Sequence, residues 1–172
     1  MPLESAPGRA VALAVLIATT GIHVGPLIGP GVACATIPGM PAQLDDLADR
    51  LLRAKNMAHL AVPRRDGTIH AAVVWADVDD EGRIVVNSAE GRLWPKLLRN
   101  AGSATITVHN AENPYEYAGV LARLAVDSHD DADAVIDALA KKYLDADSYP
   151  FRVEGEQRIT FRLEPERTWG YR

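Results

Sequence analysis

One cysteine, Cys34, in 172 residues excludes a disulfide framework and a cysteine metal site within the chain, and is compatible with a reducing cytoplasm. Positive charge is the minority sign. Eighteen Lys and Arg stand against 23 Asp and Glu, a formal net charge of −5, which argues against a general nucleic-acid binder. His-Glu-x-x-His, His-x-His and Cys/His spacings are all missing, so a metal site has no support. Ser88 lies in no Gly-x-Ser-x-Gly context, which removes the usual nucleophilic hydrolase signal. Gly25-Pro-Leu-Ile-Gly-Pro-Gly31 is glycine-rich, but without the following Lys-Ser/Thr it is no phosphate loop. From Met40 onward no apolar run approaches the roughly 20 residues of a membrane span.

What remains is ordinary for a globular domain: 48% hydrophobic and 24% charged residues, enough chain for one core. The first 39 residues differ from the rest. Glu4 and Arg9 are their only charges, and the apolar stretch Ala10–Thr20 is followed by repeated Gly and Pro. Three readings stand open: translation starting at Met40, a secretion signal with Arg9 ahead of its apolar region, or a structured extension. The domain proper is therefore taken as residues 40–172.

Leu44, Leu47, Leu51 and Leu52 have the spacing of an amphipathic helix, with Asp45 and Asp46 early and Arg50, Arg53 and Lys55 late, as the helix dipole favours. Strands are predicted over Met57–Val62, Thr68–Val78 and Arg83–Ser88, separated by turns containing Asp66-Gly67 and Glu81-Gly82. A short basic helix follows, then strands over Ala104–Asn110 and Tyr115–Val126. A helix capped by Ser128 and ending at Lys141-Lys142 comes next, and a last strand runs over Arg158–Leu163. The order lacks βαβ alternation. It predicts a small antiparallel barrel, mainly β with flanking helices in an α+β arrangement.

The stretch Arg83–Asn110 carries the chemical signal. Pro95 is tolerated only in a helix's first turn, so the basic helix starts near Leu93 or Trp94. Arg92 and Lys96 then fall at its positive end, where the dipole disfavours cations, with Arg99 one turn on. Free amides, the dipole and three cations at one place suit an anion. The competing reading pairs these cations with Glu90 and with the carboxylates of Asp79–Glu81. His59, His70 and His109 lie in strands as packed or edge residues, and Trp75 among Val73, Val74 and Val78 is a core side chain by default.

Taken together, the phrases NMAHLAV, DGTIHAAVVWADVD, VVNSAEGR, LLRN, NPYEYAGVLARL, IDALAKKYL, YPFR and ITFRLEPERTWG, in that order over Met40–Tyr171, resemble the flavin and deazaflavin oxidoreductases of the pyridoxamine 5'-phosphate oxidase-like superfamily. The branch that uses coenzyme F-420 is most similar. The resemblance implies a six-stranded antiparallel split β-barrel of the FMN-binding type, forming a homodimer with the cofactor at the subunit interface. It implies that Ser88, Arg92 and Lys96 hold the cofactor phosphate, with Asn87 and Ala89 shaping the turn. Trp75 would line the ring pocket, and Tyr115, Tyr117 and Trp169 would wall the substrate site or the interface. Gly91 and Arg92 match the family segment, whereas Trp94 stands where a lysine is usual and Leu97 where an asparagine is usual. The implied reaction moves a hydride between deazaflavin and an unsaturated small molecule. An FMN enzyme of the same fold and a non-catalytic flavin or haem carrier are the alternatives.

Overall fold

The computed structural model describes residues 42–172. Expectations for the N-terminal 39 residues, and for a boundary at Met40, fall outside them. The described chain runs α1 (Asp46–Arg53), β1 (Ala58–Pro63), β2 (Ile69–Val74), β3 (Ala76–Val78), β4 (Ile84–Ala89), α2 (Leu93–Ala101), β5 (Ser103–His109), β6 (Tyr117–Ser128), α3 (Ala132–Leu144) and β7 (Arg158–Tyr171). All pairings are antiparallel, in the order β2-β1-β5-β6-β7-β4-β3. The two outermost strands of that order are consecutive in sequence, joined through Trp75 alone. The sheet therefore curls until its edges are linked by the chain itself, which makes it a split barrel.

The predicted strand Thr68–Val78 is thus two strands, giving seven where six were expected. Its first part pairs with β1 and its second with β4. Hydrophobic pattern cannot reveal a change of partner. Groups from α1 and α3 hold the break. The Tyr143 hydroxyl accepts the Ala76 amide at 3.2 Å and donates to the Asn56 carbonyl at 2.7 Å. The Lys142 ammonium donates to the carbonyls of Ala76 (2.8 Å) and Leu52 (2.5 Å). Backbone groups left unpaired where β2 gives way to β3 are satisfied in this way. Burial pushes the Lys142 ammonium below its usual range and the Tyr143 phenol above its own.

Inside the ring, Leu60, Ile84, Val86, Ile106, Val120, Phe161 and Leu163 are buried together. The predicted leucine stripe docks α1 on this core through Leu47, Leu51 and Leu52, and the Asp45 carboxylate caps the helix by accepting the Ala48 amide at 2.8 Å. Each fully buried leucine contributes about 1.5–3 kcal/mol. Through Trp94 and Leu98, α2 reaches the same core.

Two boundaries differ from the sequence prediction. Ser128 ends β6 instead of capping α3, because β6 stays paired with β7 as far as Thr160, and α3 starts at Ala132. The last strand continues to Tyr171 through Pro165, which is accommodated at a register shift opposite Leu121 and Ala122.

Candidate functional site

The turn from β4 into α2 depends on Gly91, whose φ of 83° is left-handed. The helix opens at Arg92 without a side-chain cap and with no acid in its first turn. Pro95 has no amide to satisfy, so the amides of Leu93 and Trp94 are the uncapped donors of this helix start. Around it lies a groove of about 240 Å³ lined by Glu90, Gly91, Arg92, Lys96, Arg99 and Asn100.

Its cations are unequally committed. Arg99 is held between Glu90 and Asp127, both at 2.6 Å; these partners raise its pKa, and its hydrogen bond in turn holds the Glu90 carboxyl below the usual range. Arg92 pairs with Glu156 at 3.2 Å. Lys96 is exposed and makes no ion pair among the described residues. Glu90 is thus a partner of the cluster, whereas Asp79 and Glu81 pair with Arg83.

Beside the groove, and sharing Arg92 with it, is a cleft of about 190 Å³. Trp75, Asn87 and Arg92 all line it, so three of the residues singled out in the sequence meet there. Trp75 owes its place to the β2–β3 break. One face of its indole stacks on Tyr143 (5.2 Å, 4° between planes), and Tyr149 meets it edge-on. Asn87 projects from β4 on the opposite side to Ile84 and Val86. It donates to the Ala132 carbonyl at 2.8 Å, and its side-chain oxygen accepts from both Nε and Nη2 of Arg158 at 3.0 and 2.6 Å.

Arg158, at the start of β7, is the cleft residue that sequence reasoning missed. It is 6% exposed, lies beside the Tyr149 ring, and donates a further hydrogen bond from Nη1 to Glu156 at 2.7 Å. That bond holds the Glu156 carboxyl below its ordinary range. Glu156 thereby bridges two guanidinium groups, Arg158 and Arg92, and the trio keeps one net positive charge. No motif distinguishes Arg158 from other arginines in the sequence. Only β4–β7 pairing brings it to Asn87.

Ser88 and Ala89 line neither cavity. Ser88 alternates inward with Val86, is 1% exposed, and its hydroxyl has no partner among the described residues. Tyr115 is exposed in the β5–β6 loop. Tyr117 and Trp169 belong to the outer face of the sheet, on which one row runs Val73, His59, Thr107, Gly119, Trp169 across five strands. Val73 at one end of that row also lines the cleft and is 62% exposed.

No family model and no curated protein matches the chain by sequence. Solved structures do match. An F-420 reductase superposes with a TM-score of 0.63 at 21% identity, over 70% of this chain and 94% of that one. A candidate pyridoxamine 5'-phosphate oxidase from Listeria innocua gives 0.51 at 9% identity, over 66% and 86%. HupZ from group A Streptococcus gives 0.54 at 11%, over 74% and 94%. The fold is that of the pyridoxamine 5'-phosphate oxidase-like split barrels. No helix among the described residues is long and apolar enough to cross a membrane.

Proposed function

We propose that the domain is an oxidoreductase that moves a hydride between the deazaflavin coenzyme F-420 and a small unsaturated molecule. The observation that carries this reading is the adjacency of an aromatic-walled cleft to an uncapped, cationic helix start through the shared residue Arg92. A flavin-type cofactor joins a planar ring to a phosphate, and the residues present suit both parts. Lys96, Arg92 and the amides of Leu93 and Trp94 hold the phosphate, with Asn87, Ser88 and Ala89 shaping the turn that delivers them. Trp75 lines the ring pocket. The cofactor supplies the hydride chemistry, and the chain supplies position and charge.

A homodimer belongs to the same reading. Among the described residues the outer sheet face from Val73 to Trp169 is uncovered, and it ends at the cleft, so a second copy seated on it walls the site, with Tyr115, Tyr117 and Trp169 as wall or interface residues. The location that fits a reduced deazaflavin is the cytoplasm.

Titration of the purified protein with F-420 and with FMN, followed by fluorescence, tests the proposal. Submicromolar binding of the deazaflavin alone is expected. Binding of FMN alone makes the protein an FMN enzyme of the same fold. Binding without turnover of any unsaturated acceptor makes it a carrier. Binding of neither overturns the reading.

A further inference from the structure

The charged centre of the cleft is Arg158, and nothing in the phosphate reading uses it. Its side chain is 5% exposed, so its charge has been taken out of water, which is costly unless the guanidinium is well partnered. Its partners use only part of its capacity. Asn87 takes Nε and one N–H of Nη2, and Glu156 takes one N–H of Nη1. Of the five guanidinium N–H groups, one on each terminal nitrogen therefore has no acceptor among the described residues. Asn87 is itself fixed by the Ala132 carbonyl and the Thr160 hydroxyl, so the guanidinium is oriented from β4 as well as from β7. Glu156 cannot neutralise the cleft, because it is divided between Arg158 and Arg92.

The surrounding walls are aromatic. Tyr149 lies 5.1 Å from the Arg158 guanidinium, and Phe151 and Trp75 each meet Tyr149 at right angles or nearly so. At about 190 Å³ the cavity is below the 300–1,000 Å³ of drug-sized ligand sites and suits a single ring or a short conjugated chain. A buried, pre-oriented guanidinium with spare donors on both terminal nitrogens recognises a planar two-oxygen anion.

We infer that the Arg158 end of the cleft is a binding site for a small planar conjugated carboxylic acid, whose carboxylate is received by the two uncommitted Arg158 N–H groups and whose flat body lies against the wall formed by Trp75, Tyr149 and Phe151. The inference rests on the oxidoreductase reading only in making this acid the substrate. The acid takes the buried end, and the exposed Val73 side is left to the cofactor.

Calorimetric titration of the full chain with trans-cinnamate and with cinnamamide, without cofactor and at saturating F-420, provides the test. The amide keeps shape and planarity and removes the charge. Cinnamate is expected to bind at least about tenfold tighter than the amide, the share of affinity carried by one charge-assisted hydrogen bond. Arg158→Gln is expected to abolish the difference, and Arg158→Lys to retain part of it. Equal affinity for acid and amide overturns the inference without any variant, so it does not depend on Arg158→Gln folding. Absence of cinnamate binding in both conditions, or wild-type affinity in a folded Arg158→Gln protein, overturns it as well. Failure of both F-420 and FMN to bind while cinnamate still binds removes the oxidoreductase reading and leaves the acid site standing. Tight F-420 binding with no preference for the acid does the reverse.

Discussion

Trp169 is packed directly against Gly119: a Cβ placed on the glycine would stand 2.3 Å from Cε2 of the indole. The two residues are register partners in β6 and β7, and the Arg167 guanidinium lies 5.7 Å from the centre of the same indole. Gly119→Ala is expected to destabilise the domain by about 1–3 kcal/mol, the usual range for overpacking. Within a strand the same change ordinarily stabilises by about 0.5–1 kcal/mol. Urea unfolding of Gly119→Ala with and without Trp169→Ala should therefore show the sign reversing, and a sign that stays the same removes the packing argument.

Tyr143 secures the break between the two edge strands through its hydroxyl. Tyr143→Phe leaves the ring to stack on Trp75 and removes the acceptor for the Ala76 amide and the donor to the Asn56 carbonyl. The cost expected is about 1–3 kcal/mol, that of leaving buried polar groups unpaired. It is measured as a lower urea midpoint at unchanged slope.

Arg92→Ala and Lys96→Ala are expected to weaken cofactor binding by roughly tenfold each, the share of one charge-assisted hydrogen bond to a phosphate. Lys96 has no ion pair to lose among the described residues, so its variant should keep wild-type stability. Arg92→Ala additionally leaves Glu156 to Arg158 alone. Unchanged affinity in the double variant refutes the phosphate assignment.

Acid stability has a definite direction. Hydrogen bonds from Arg99 to Glu90 and from Arg158 to Glu156 lower the two carboxyl pKa values in the folded chain. A lowered folded value means stability that is complete above the unfolded pKa of about 4.3 and is lost as pH falls through the folded value. Unfolding free energy should therefore decline as pH falls below about 5, and Glu156→Gln should flatten that slope. Glu90 is a third exposed, so solvent screening makes its share smaller.

Legibility followed sequence distance. The α1 stripe, the strand periodicities and the start of α2 were readable because capping, dipole and proline rules act within one or two turns. The groove cations were readable for the same reason, and so was the possibility that Glu90 would pair with one of them. Arg158 was not, because its meaning comes from Asn87, which lies in another strand and becomes its neighbour only through β4–β7 pairing. The split at Trp75 was hidden for a related reason, since an apolar alternation reads the same whether a strand keeps its partner or changes it. Ser88 shows the converse. The turn it precedes was located, but alternation along β4 sends its hydroxyl to the side away from Asn87.

The single-residue link between β2 and β3 also governs how the ring can close. With both sheet edges tethered through Trp75, bringing them together carries little loop entropy. A circular permutant opened at Trp75 would lose that tether, and the two edge strands, β2 and β3, would be free to move apart. The residue that gives the cleft its aromatic wall is in this sense also the clasp of the barrel.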